Sequence, residues 1–356
     1  MKRERKGAQK TAVVMAGGTG GHIFPGVAVA RGLQDAGWRV VWIGGNAGME
    51  GKIVSGYGLQ LHCLNFSGVR GKGWRPMLAL PDAVLEARKL LAHIKPDVVL
   101  GFGGYVSVPG ALAAASKRIP LFIHEQNAVA GMANQWLSHL ARRVFTAFPK
   151  VLKGAEWVGN PLRSEFLRQN APSRRFTKRE GPLQLLVVGG SLGAQALNEM
   201  VPKALALLPE AQRPHVLHQS GLKQIESLQA NYQQAGVSAD LIPFIKDTAK
   251  AYADADLVIC RAGASTVTEI AAVGAAACFV PYPHAVDDHQ SVNARYLVDE
   301  DAAWLMEQSL MTPEGLADFM SALTRHELLE RARRAHKLAK TEAVPLIVRA
   351  CEELVE

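Results

Sequence analysis

Short apolar runs, each followed by glycine and then by an amphipathic stretch, recur along most of this chain. The clearest case begins with Leu257–Cys260, an uninterrupted apolar run that is typical of a strand buried on both faces. The chain then turns at Gly263, and a helix is predicted to follow until Gly274, since glycine commonly ends helices. A second apolar run at residues 276–280 completes a strand-helix-strand unit.

The same order of apolar run and glycine turn occurs three more times. The apolar runs are residues 11–16, 97–100 and 183–188, and the turns after them are residues 17–21, 101–104 and 189–193. Strands and helices that alternate in this way form parallel sheets with helices on both faces. We therefore predict an α/β fold of two Rossmann-like parallel-sheet domains that face one another across a central cleft.

A change of pattern after Arg163 predicts the domain boundary. Residues 164–183 are rich in arginine and lysine and show little hydrophobic periodicity, so we predict a linker within them. The two domains are then residues 1–163 and residues 164–341. The last stretch, residues 342–356, contains an amphipathic helical pattern and is predicted to pack back on the first domain.

The start of the helix after Gly263 is a candidate phosphate site. Its first amides have no partner within the helix, and the helix dipole adds partial positive charge there. Glu269 follows, and its carboxylate is suited to accept two hydroxyls of a ribose. The alternative is structural, because Thr266 and Glu269 have the spacing of a capping box. Spacing alone favours the capping interpretation, and the polar loop that comes next shifts the balance toward a ligand.

That loop follows the second strand of the unit and carries Asp287, Asp288, His289 and Gln290. A ligand rich in hydroxyl groups needs polar side chains of this kind for its orientation. A metal site formed by Asp287, Asp288 and His289 is the alternative. Three adjacent side chains do not easily converge on one ion, so we predict no metal.

The glycine turn near the start of the chain leads into a helix that carries His22. The turn lacks the Gly-Lys ending of a phosphate-binding loop and the third glycine of the dinucleotide fingerprint, which disfavours a nicotinamide cofactor. His22 is either an ordinary helix-start residue or a catalytic or phosphate-contacting one, since imidazole titrates near neutral pH. A polar cluster at residues 124–127 leaves another predicted strand, where α/β sheets place ligand contacts.

Composition and charge indicate the partners and the compartment. The 356 residues carry a formal net charge of +8, which favours anionic partners such as nucleic acid, anionic lipid or phosphorylated metabolites. The 4 cysteines form no C-x-x-C pair, which favours free thiols in the cytoplasm. No apolar run is long enough to cross a bilayer. Residues 67–80 mix basic, aromatic and aliphatic side chains, which is typical either of contact with an anionic membrane or of ordinary core packing.

Taken together, the motifs of this chain resemble the MurG family. The motifs are residues 16–22 with 25–26, 103–107, 124–127, 159–161, 189–194, 218–221 and 261–266 with Glu269. They follow one another in the family's order. Members of this family are bacterial transferases that move N-acetylglucosamine from UDP to lipid I, which gives lipid II for peptidoglycan synthesis.

The resemblance implies a GT-B fold with the lipid acceptor on the first domain and UDP-N-acetylglucosamine mainly on the second. It implies peripheral attachment to an anionic membrane surface at the cytoplasmic face of the inner membrane, without nucleic acid or a cofactor. His22 is implied as the catalytic base or as a residue that orients the diphosphate. The implied donor contacts are Thr19, Gly20, Gly21, Asn127, Arg163, Ser191, Ile245, Ala264, Ser265, Thr266, Val267, Thr268, Glu269 and Gln290. The implied acceptor contacts are Gly104, Tyr105 and Glu125.

Other functions compete with this interpretation. A UDP-N-acetylglucosamine 2-epimerase shares the architecture and the donor but needs no lipid acceptor. A basic scaffold for membrane or nucleic acid would explain the charge and nothing else. A dehydrogenase lacks its glycine fingerprint here. The glycine loop at residues 17–22 and the mixed surface at residues 70–80 favour a transferase.

Overall fold

The structure is a computed structural model that describes residues 9–45, 50–66, 78–177, 179–190 and 192–355, without the side chains of Lys52 and Val286. Ser191 and residues 67–77 of the mixed basic and apolar segment therefore lie outside the described residues. The chain divides into two compact units. The first unit consists of Met1–Arg163 and Lys340–Glu356, and the second of Ser164–Ala339.

The first unit is built on a parallel sheet of seven strands. In chain order they are β1 (Thr11–Met15), β2 (Arg39–Gly45), β3 (Gln60–Leu64), β4 (Val98–Gly101), β5 (Leu121–Glu125), β6 (Arg143–Thr146) and β7 (Glu156–Trp157). They lie side by side in the order β3-β2-β1-β4-β5-β6-β7. The order reverses between β1 and β4, so the loops after these two strands leave the sheet next to one another.

Helices cover both faces of this sheet because β1 is apolar on both sides. The helices are α1 (Gly20–Asp35), α2 (Glu50–Gly56), α3 (Leu80–Ile94), α4 (Ser107–Ser116) and α5 (Met132–Ser138). Ala12 and Val14 belong to the core on the side of α1, whereas Val13 and Met15 belong to the core with α3, α4 and α5. None of these four side chains has exposed surface, as expected for a central parallel strand.

The second unit is built on a parallel sheet of six strands. They are β8 (Gln184–Val188), β9 (His215–Gln219), β10 (Asp240–Ile242), β11 (Leu257–Cys260), β12 (Ala277–Phe279) and β13 (Trp304–Leu305). Their order is β10-β9-β8-β11-β12-β13, so here the reversal lies between β8 and β11. The two sheets confirm the predicted α/β fold with two Rossmann-like parallel-sheet domains.

Nine α-helices are described in the second unit. They are α6 (Ser164–Leu167), α7 (Pro172–Phe176), α8 (Gln195–Leu207), α9 (Ile225–Ala235), α10 (Thr248–Asp254), α11 (Ala264–Val273), α12 (His289–Val298), α13 (Pro313–Ala322) and α14 (Arg325–Lys337). Single 3-10 turns occur at Glu210–Gln212, Val286–Asp288 and Gln308–Leu310.

The prediction of a linker at residues 164–183 was wrong, because α6 and α7 pack into the second unit. Arg175 on α7 donates hydrogen bonds to the carbonyls of Ala253, Val273 and Gly274, at the ends of α10 and α11. Burial of this guanidinium lowers its pKa to about 10, which leaves it charged at neutral pH. A cation at helix C-termini satisfies carbonyls that have no partner within the helix.

The terminal helix α15 (Ala343–Glu352) packs on α1 in the first unit. Ile347 has no exposed surface and lies in the same core cluster as the apolar residues of α1. A β-carbon at Gly32 of α1 would lie 2.6 Å from Val344 Cγ1, so the two helices approach closely at this glycine. None of the described helices is both long enough and apolar enough to cross a membrane.

Candidate functional site

In the first unit, the loops after β1 and β4 touch through their backbones. Gly104 has φ of 81°, and a β-carbon there would lie 2.3 Å from the carbonyl oxygen of Gly17. Only glycine fits such a position. The amide of Gly18 donates to Glu50 Oε1 at 2.9 Å, and the Glu50 side chain is completely buried. Its second oxygen, Oε2, has no hydrogen-bond partner among the described residues. The glycine loop is thus fixed by one close backbone contact and one buried carboxylate.

His22 lies at the start of α1, beside the loop after β4. Its Nδ1 is 2.7 Å from Gln126 Oε1, and its ring lies against Gly103. Gln126 Nε2 is 3.1 Å from His124 Nδ1, and His124 Nε2 is 2.9 Å from the Gly159 carbonyl oxygen. Burial lowers the pKa of His124 to about 4, so its imidazole is neutral at physiological pH. The polar cluster predicted at residues 124–127 is therefore connected to His22.

Glu125 organises the loop that follows β5. Its Oε1 accepts from the amide of Asn127 at 2.9 Å and from Asn127 Nδ2 at 3.3 Å. Its Oε2 accepts from Asn134 Nδ2 at 2.8 Å and from the amide of Gly131 at 3.2 Å. With both oxygens occupied in this way, the buried carboxylate fixes the loop and positions Asn127.

Tyr105 and Arg163 are two further predicted contacts in the first unit. Burial, and then the nearby Glu50, raise the pKa of Tyr105, so its phenol stays protonated and can donate a hydrogen bond. The guanidinium carbon of Arg163 lies 4.7 Å from the ring centroid of Phe24 on α1, a cation–π contact. This contact places a positive charge next to the start of α1.

In the second unit, the predicted phosphate site is the start of α11. Gly263 occupies the N-cap position, and no side chain caps the helix there. The first amides of a helix have no partner within it, so the amides of the first turn are available to an anion. Ser265 Oγ is buried in this turn and has no hydrogen-bond partner among the described residues. An uncapped helix start with an unpaired hydroxyl is suited to phosphate oxygens.

A second glycine loop, residues 189–193, follows β8 next to the start of α11. The amide of Arg261 donates to the Val188 carbonyl at 3.3 Å, which joins the ends of β11 and β8. Gln219 Nε2 donates to the Gly190 carbonyl at 2.8 Å. A β-carbon at Gly193 would lie 1.9 Å from the Ser220 carbonyl oxygen, so this loop too is held by a backbone contact.

A buried polar network supports the glycine loop of residues 189–193. Asn198 Nδ2 donates to the Ser220 carbonyl at 3.1 Å, and Asn198 Oδ1 lies 3.1 Å from His218 Nε2. His218 Nδ1 in turn lies 3.0 Å from the Tyr232 hydroxyl. Burial lowers the pKa of His218 to about 3, so this imidazole is also neutral.

The polar loop after β12 is ordered by side-chain contacts to its backbone. The guanidinium of Arg261 donates to the carbonyls of Val280 and Pro281 at 2.9 and 3.0 Å. The amide of Tyr282 donates to Gln290 Oε1 at 2.9 Å, which fixes one end of the Gln290 side chain. Asp287 and Asp288 both have positive φ, which is uncommon outside glycine.

No group of three or more His, Cys, Asp or Glu side chains in the described part of the chain is arranged to hold a metal ion. Ile245, predicted to meet the uracil, is only 5% exposed as a whole residue.

Two family descriptions match the chain. The glycosyltransferase family 28 N-terminal domain matches residues 12–146, and the family's C-terminal domain matches residues 184–348. A protein of Acidovorax sp. (strain JS42), named UDP-N-acetylglucosamine–N-acetylmuramyl-(pentapeptide) pyrophosphoryl-undecaprenol N-acetylglucosamine transferase, is 57% identical over 350 residues, or 97% of this chain and 88% of that protein. The crystal structure of Acinetobacter baumannii MurG matches with a TM-score of 0.85 and 42% identity, covering 97% of this chain and 99% of that one.

The chain belongs to the MurG family. It is therefore a glycosyltransferase, and the GT-B fold implied by its motifs is confirmed. A crystal structure of UDP-GlcNAc 2-epimerase from Neisseria meningitidis also matches, with a TM-score of 0.67 but only 13% identity. That likeness shows a shared fold alone, and the epimerase alternative is not favoured for a MurG family chain.

The capping-box interpretation of Glu269 was wrong. The helix begins at Ala264, two residues before Thr266, so its N-cap is Gly263 and Glu269 lies in the second turn. A glutamate in the second turn is too far along the helix to reach the N-cap amide. Sequence reasoning misplaced the start because Thr266 and Glu269 have the right spacing, whereas glycine caps without any side-chain signal.

Each unit brings most of its predicted residues to the edge of its sheet where the strands end. In the first unit these are Thr19, Gly20, Gly21, His22, Gly104, Tyr105, Glu125 and Asn127. In the second unit they are Ala264, Ser265, Thr266, Val267, Thr268, Glu269 and Gln290. Within the second group, Thr268 Oγ1 donates to the Ala264 carbonyl at 2.9 Å and so serves the helix itself.

The sequence pattern placed one functional candidate without a role and missed another. Gln126 belongs to the polar cluster predicted at residues 124–127, which follows β5, but no role was predicted for it. Glu50 was missed because its contact with Gly18 joins residues 32 positions apart.

Proposed function

We propose that this protein transfers N-acetylglucosamine from UDP-N-acetylglucosamine to the muramyl 4-hydroxyl of lipid I, undecaprenyl-pyrophosphoryl-N-acetylmuramyl-pentapeptide, which gives lipid II. Identity of 57% over nearly the whole chain to the Acidovorax transferase of that name carries the proposal. The substrates fit the observed chemistry, because both contain a diphosphate and the chain has a formal net charge of +8.

The donor is assigned mainly to the second unit. The uncapped start of α11 and Ser265 Oγ receive the diphosphate, and the glycine loop of residues 189–193 lets the ligand approach the backbone. Glu269 accepts the ribose hydroxyls, Ile245 meets the uracil, and Gln290 contacts the sugar. Ser191, outside the described residues, is assigned to the diphosphate by its place in the family motif.

The acceptor is assigned to the first unit, beside His22, Gly104 and Tyr105. The muramyl 4-hydroxyl attacks the anomeric carbon of the donor in a single displacement, which inverts the α linkage of the donor to a β linkage. The proton goes to His22, and the electron pair of the broken bond goes to the β-phosphate of UDP. The dipole of α11 and the charge of Arg163 stabilise the negative charge on the leaving group.

The membrane contact is assigned to the helices α3 and α5. Residues of α3, α4 and α5 share one core cluster, so these helices cover the same side of the sheet. Met132 and Trp136, one turn apart on α5, are 80% and 82% exposed, and Leu85 on α3 is 55% exposed. Exposed basic residues on or next to these helices include Arg88, Lys89, Lys95, Arg118 and Arg142. Exposed apolar side chains among cations suit the anionic cytoplasmic face of the inner membrane.

The proposed reaction is tested by incubating the full-length protein with UDP-N-acetylglucosamine and a short-chain lipid I analogue, with and without EDTA. We expect β-linked disaccharide on the lipid analogue, and formation of product in EDTA as well. Conversion of the donor in the absence of acceptor to an epimerised sugar nucleotide would support the epimerase instead. Absence of any transfer by folded protein would contradict the proposal.

The same assay tests the donor half of the assignment. In Glu269→Ala the ribose loses its charged acceptor, so we expect the KM for UDP-N-acetylglucosamine to rise about 10-fold or more, since a hydrogen bond to a charged group contributes ~1.5–3 kcal/mol. The matched control is Glu300→Ala, which removes an exposed glutamate of the same unit. Equal KM values in the two variants would remove Glu269 from the donor site.

A further inference from the structure

His22 is tied to the interior of the first unit by a chain of hydrogen bonds. The link from His22 Nδ1 to Gln126 Oε1 is 2.7 Å long. Gln126 Nε2 reaches His124 Nδ1 at 3.1 Å and the His124 carbonyl oxygen at 2.9 Å. His124 Nε2 reaches the Gly159 carbonyl oxygen at 2.9 Å. This chain of hydrogen bonds thus contains the imidazoles of His22 and His124 and the amide of Gln126. Two backbone carbonyls accept hydrogen bonds from it.

The carbonyls of His124 and Gly159 determine where every proton in this chain of hydrogen bonds lies. A carbonyl oxygen only accepts, so the end of Gln126 that meets the His124 carbonyl must be its amide nitrogen. The opposite end, Oε1, is then the one that faces His22, and it can only accept from an Nδ1–H. By the same rule His124 carries its proton on Nε2, toward Gly159, and its Nδ1 accepts from Gln126. The orientation of the Gln126 amide therefore follows from its contact with the His124 carbonyl, which can only accept a hydrogen bond.

His124 keeps this arrangement because it cannot readily become charged. His124 is only 1% exposed, and its ring stacks on the ring of Phe102 with a centroid separation of 5.8 Å. Burial lowers the pKa of His124 to about 4. Protonation would place an Nδ1–H against the amide hydrogens of Gln126 and break the chain, which adds to the cost of charging the ring.

We propose that Gln126, oriented by His124, is a positioning residue that holds His22 in the Nδ1–H tautomer and leaves the lone pair of Nε2 free for the substrate. The inference rests on the proposed role of His22 as the base of the transferase. Without Gln126, an imidazole at this position can place its proton on Nε2, where it blocks the lone pair that has to accept the hydroxyl proton.

The proton balance of the step agrees with this arrangement. As the muramyl oxygen bonds to the anomeric carbon and the bond from that carbon to the phosphate oxygen of UDP breaks, the hydroxyl proton moves to His22 Nε2. The ring becomes an imidazolium whose Nδ1–H still donates to Gln126 Oε1. Only one proton moves, and no rotation of His22 is needed during the reaction.

The first test reads the tautomer directly, in the unaltered full-length protein. Two-bond proton–nitrogen NMR correlations of ¹⁵N-histidine-labelled protein at about pH 8.5, where an ordinary histidine is neutral, distinguish Nδ1–H from Nε2–H. The signal of His22 is assigned by its disappearance in His22→Gln. We expect Nδ1–H at His22 and Nε2–H at His124. A proton on Nε2 of His22 would overturn the inference, whatever the variants do.

The second test separates positioning from general stabilisation. Gln126→Met keeps the length of the side chain but removes the acceptor, so we expect the Nε2–H tautomer of His22 to appear and kcat to fall about 10²-fold or more, with both KM values little changed. Gln60→Met makes the same change at an exposed position of β3 and should leave kcat unaltered. A Gln126→Met enzyme that folds and retains kcat within a few fold would overturn the inference.

The inference and the proposed function can fail separately. His22→Ala with near-normal turnover would remove His22 as the base but leave the measured tautomer of the unaltered protein as it is. Conversely, loss of turnover in His22→Ala together with an Nε2–H tautomer in the unaltered protein would support the base and exclude Gln126 as its positioning residue.

Discussion

His124 and His218 are each buried as neutral imidazoles, one in each unit. His124 connects to His22 through Gln126, and His218 supports the glycine loop after β8 through Asn198. In both cases each ring nitrogen has a defined partner, one as a donor and one as an acceptor. Rings of this kind orient neighbouring groups without adding charge, but they make the folded state sensitive to acid.

This sensitivity predicts the pH dependence of stability. The folded-state pKa values of about 4 for His124 and about 3 for His218 lie below the ordinary value of ~6.5, so the unfolded chain binds more protons in between. The contribution of both rings is fully present above about pH 6.5 and is lost as the pH falls to about 4 for His124 and to about 3 for His218. We expect the free energy of unfolding to decrease by up to ~1.4 kcal/mol per pH unit for each histidine in that window.

Chemical denaturation at a series of pH values measures this decrease. The variant His218→Gln should show a shallower slope than the unaltered protein. His215→Gln is the matched control, since His215 lies on the same strand but is exposed. If both variants keep the full slope, burial of His218 does not contribute to the acid sensitivity.

At the same scale, the sequence predicted where candidate residues lie better than which contacts they make. His22 stood out beside a glycine turn at a helix start, and Glu125 because it follows an apolar run directly. The carboxylate of Glu125 nevertheless binds the amides of Asn127 and Gly131, a loop-fixing role that no spacing rule indicates. Gln126 was predicted only as one member of the polar cluster at residues 124–127, because an amide has no obvious role until its two neighbours in space are known.

Glycine turns between strands and helices are the elements that the sequence predicted most reliably. The positive φ at Gly104 and Gly193 is a local requirement of the turn, whereas the carbonyl that each would meet through a β-carbon belongs to another loop. The helices α6 and α7 were missed for the opposite reason. Their short, basic sequence has little periodicity, and α7 is held by the contacts of Arg175 with residues 78 to 99 positions away.

The contact between α15 and α1 gives a prediction for one element. Ile347→Ala leaves a cavity where the side chain now has no exposed surface, so we expect the first unit to lose about 2–5 kcal/mol of unfolding free energy. Leu346→Ala, on the same helix but at a position 39% exposed, should cost about 1 kcal/mol or less. Denaturant unfolding followed by tryptophan fluorescence measures both. Similar losses in the two variants would contradict the packing of α15 on α1.

At the scale of the whole chain, the two units have the same arrangement of strands and glycine loops. In each sheet the strand order reverses next to the first strand of the unit, and a glycine loop follows that strand. The repetition was predictable because each half repeats the same order of apolar run, glycine turn and helix. The end of the chain was harder to interpret, since the core that α15 joins includes the apolar residues of α1, more than 300 positions earlier.

The proposed membrane contact concerns the first unit as a whole. Removing the exposed pair in Met132→Ala/Trp136→Ala takes away apolar surface that would enter the lipid, so we expect binding to anionic vesicles to weaken about 10-fold or more. The double variant should be compared with Leu207→Ala, an exposed apolar position at 54% in the second unit. Sedimentation with phosphatidylglycerol-containing vesicles at two salt concentrations measures the binding of each variant and how strongly it depends on salt. Unchanged binding of the double variant would place the contact elsewhere.

The backbone contact between Gly104 and Gly17 also restricts how this enzyme can be engineered. Any side chain at residue 104 would meet the Gly17 carbonyl and displace the loop that leads into His22, so substitutions there alter the whole loop instead of one contact. Tyr105 next to it is half-buried, and its ring packs on the ring of Phe66 at a centroid separation of 6.3 Å, so a substitution there changes side-chain contacts. Libraries that seek transfer to new sugar acceptors should therefore randomise residue 105 and keep residue 104 as glycine.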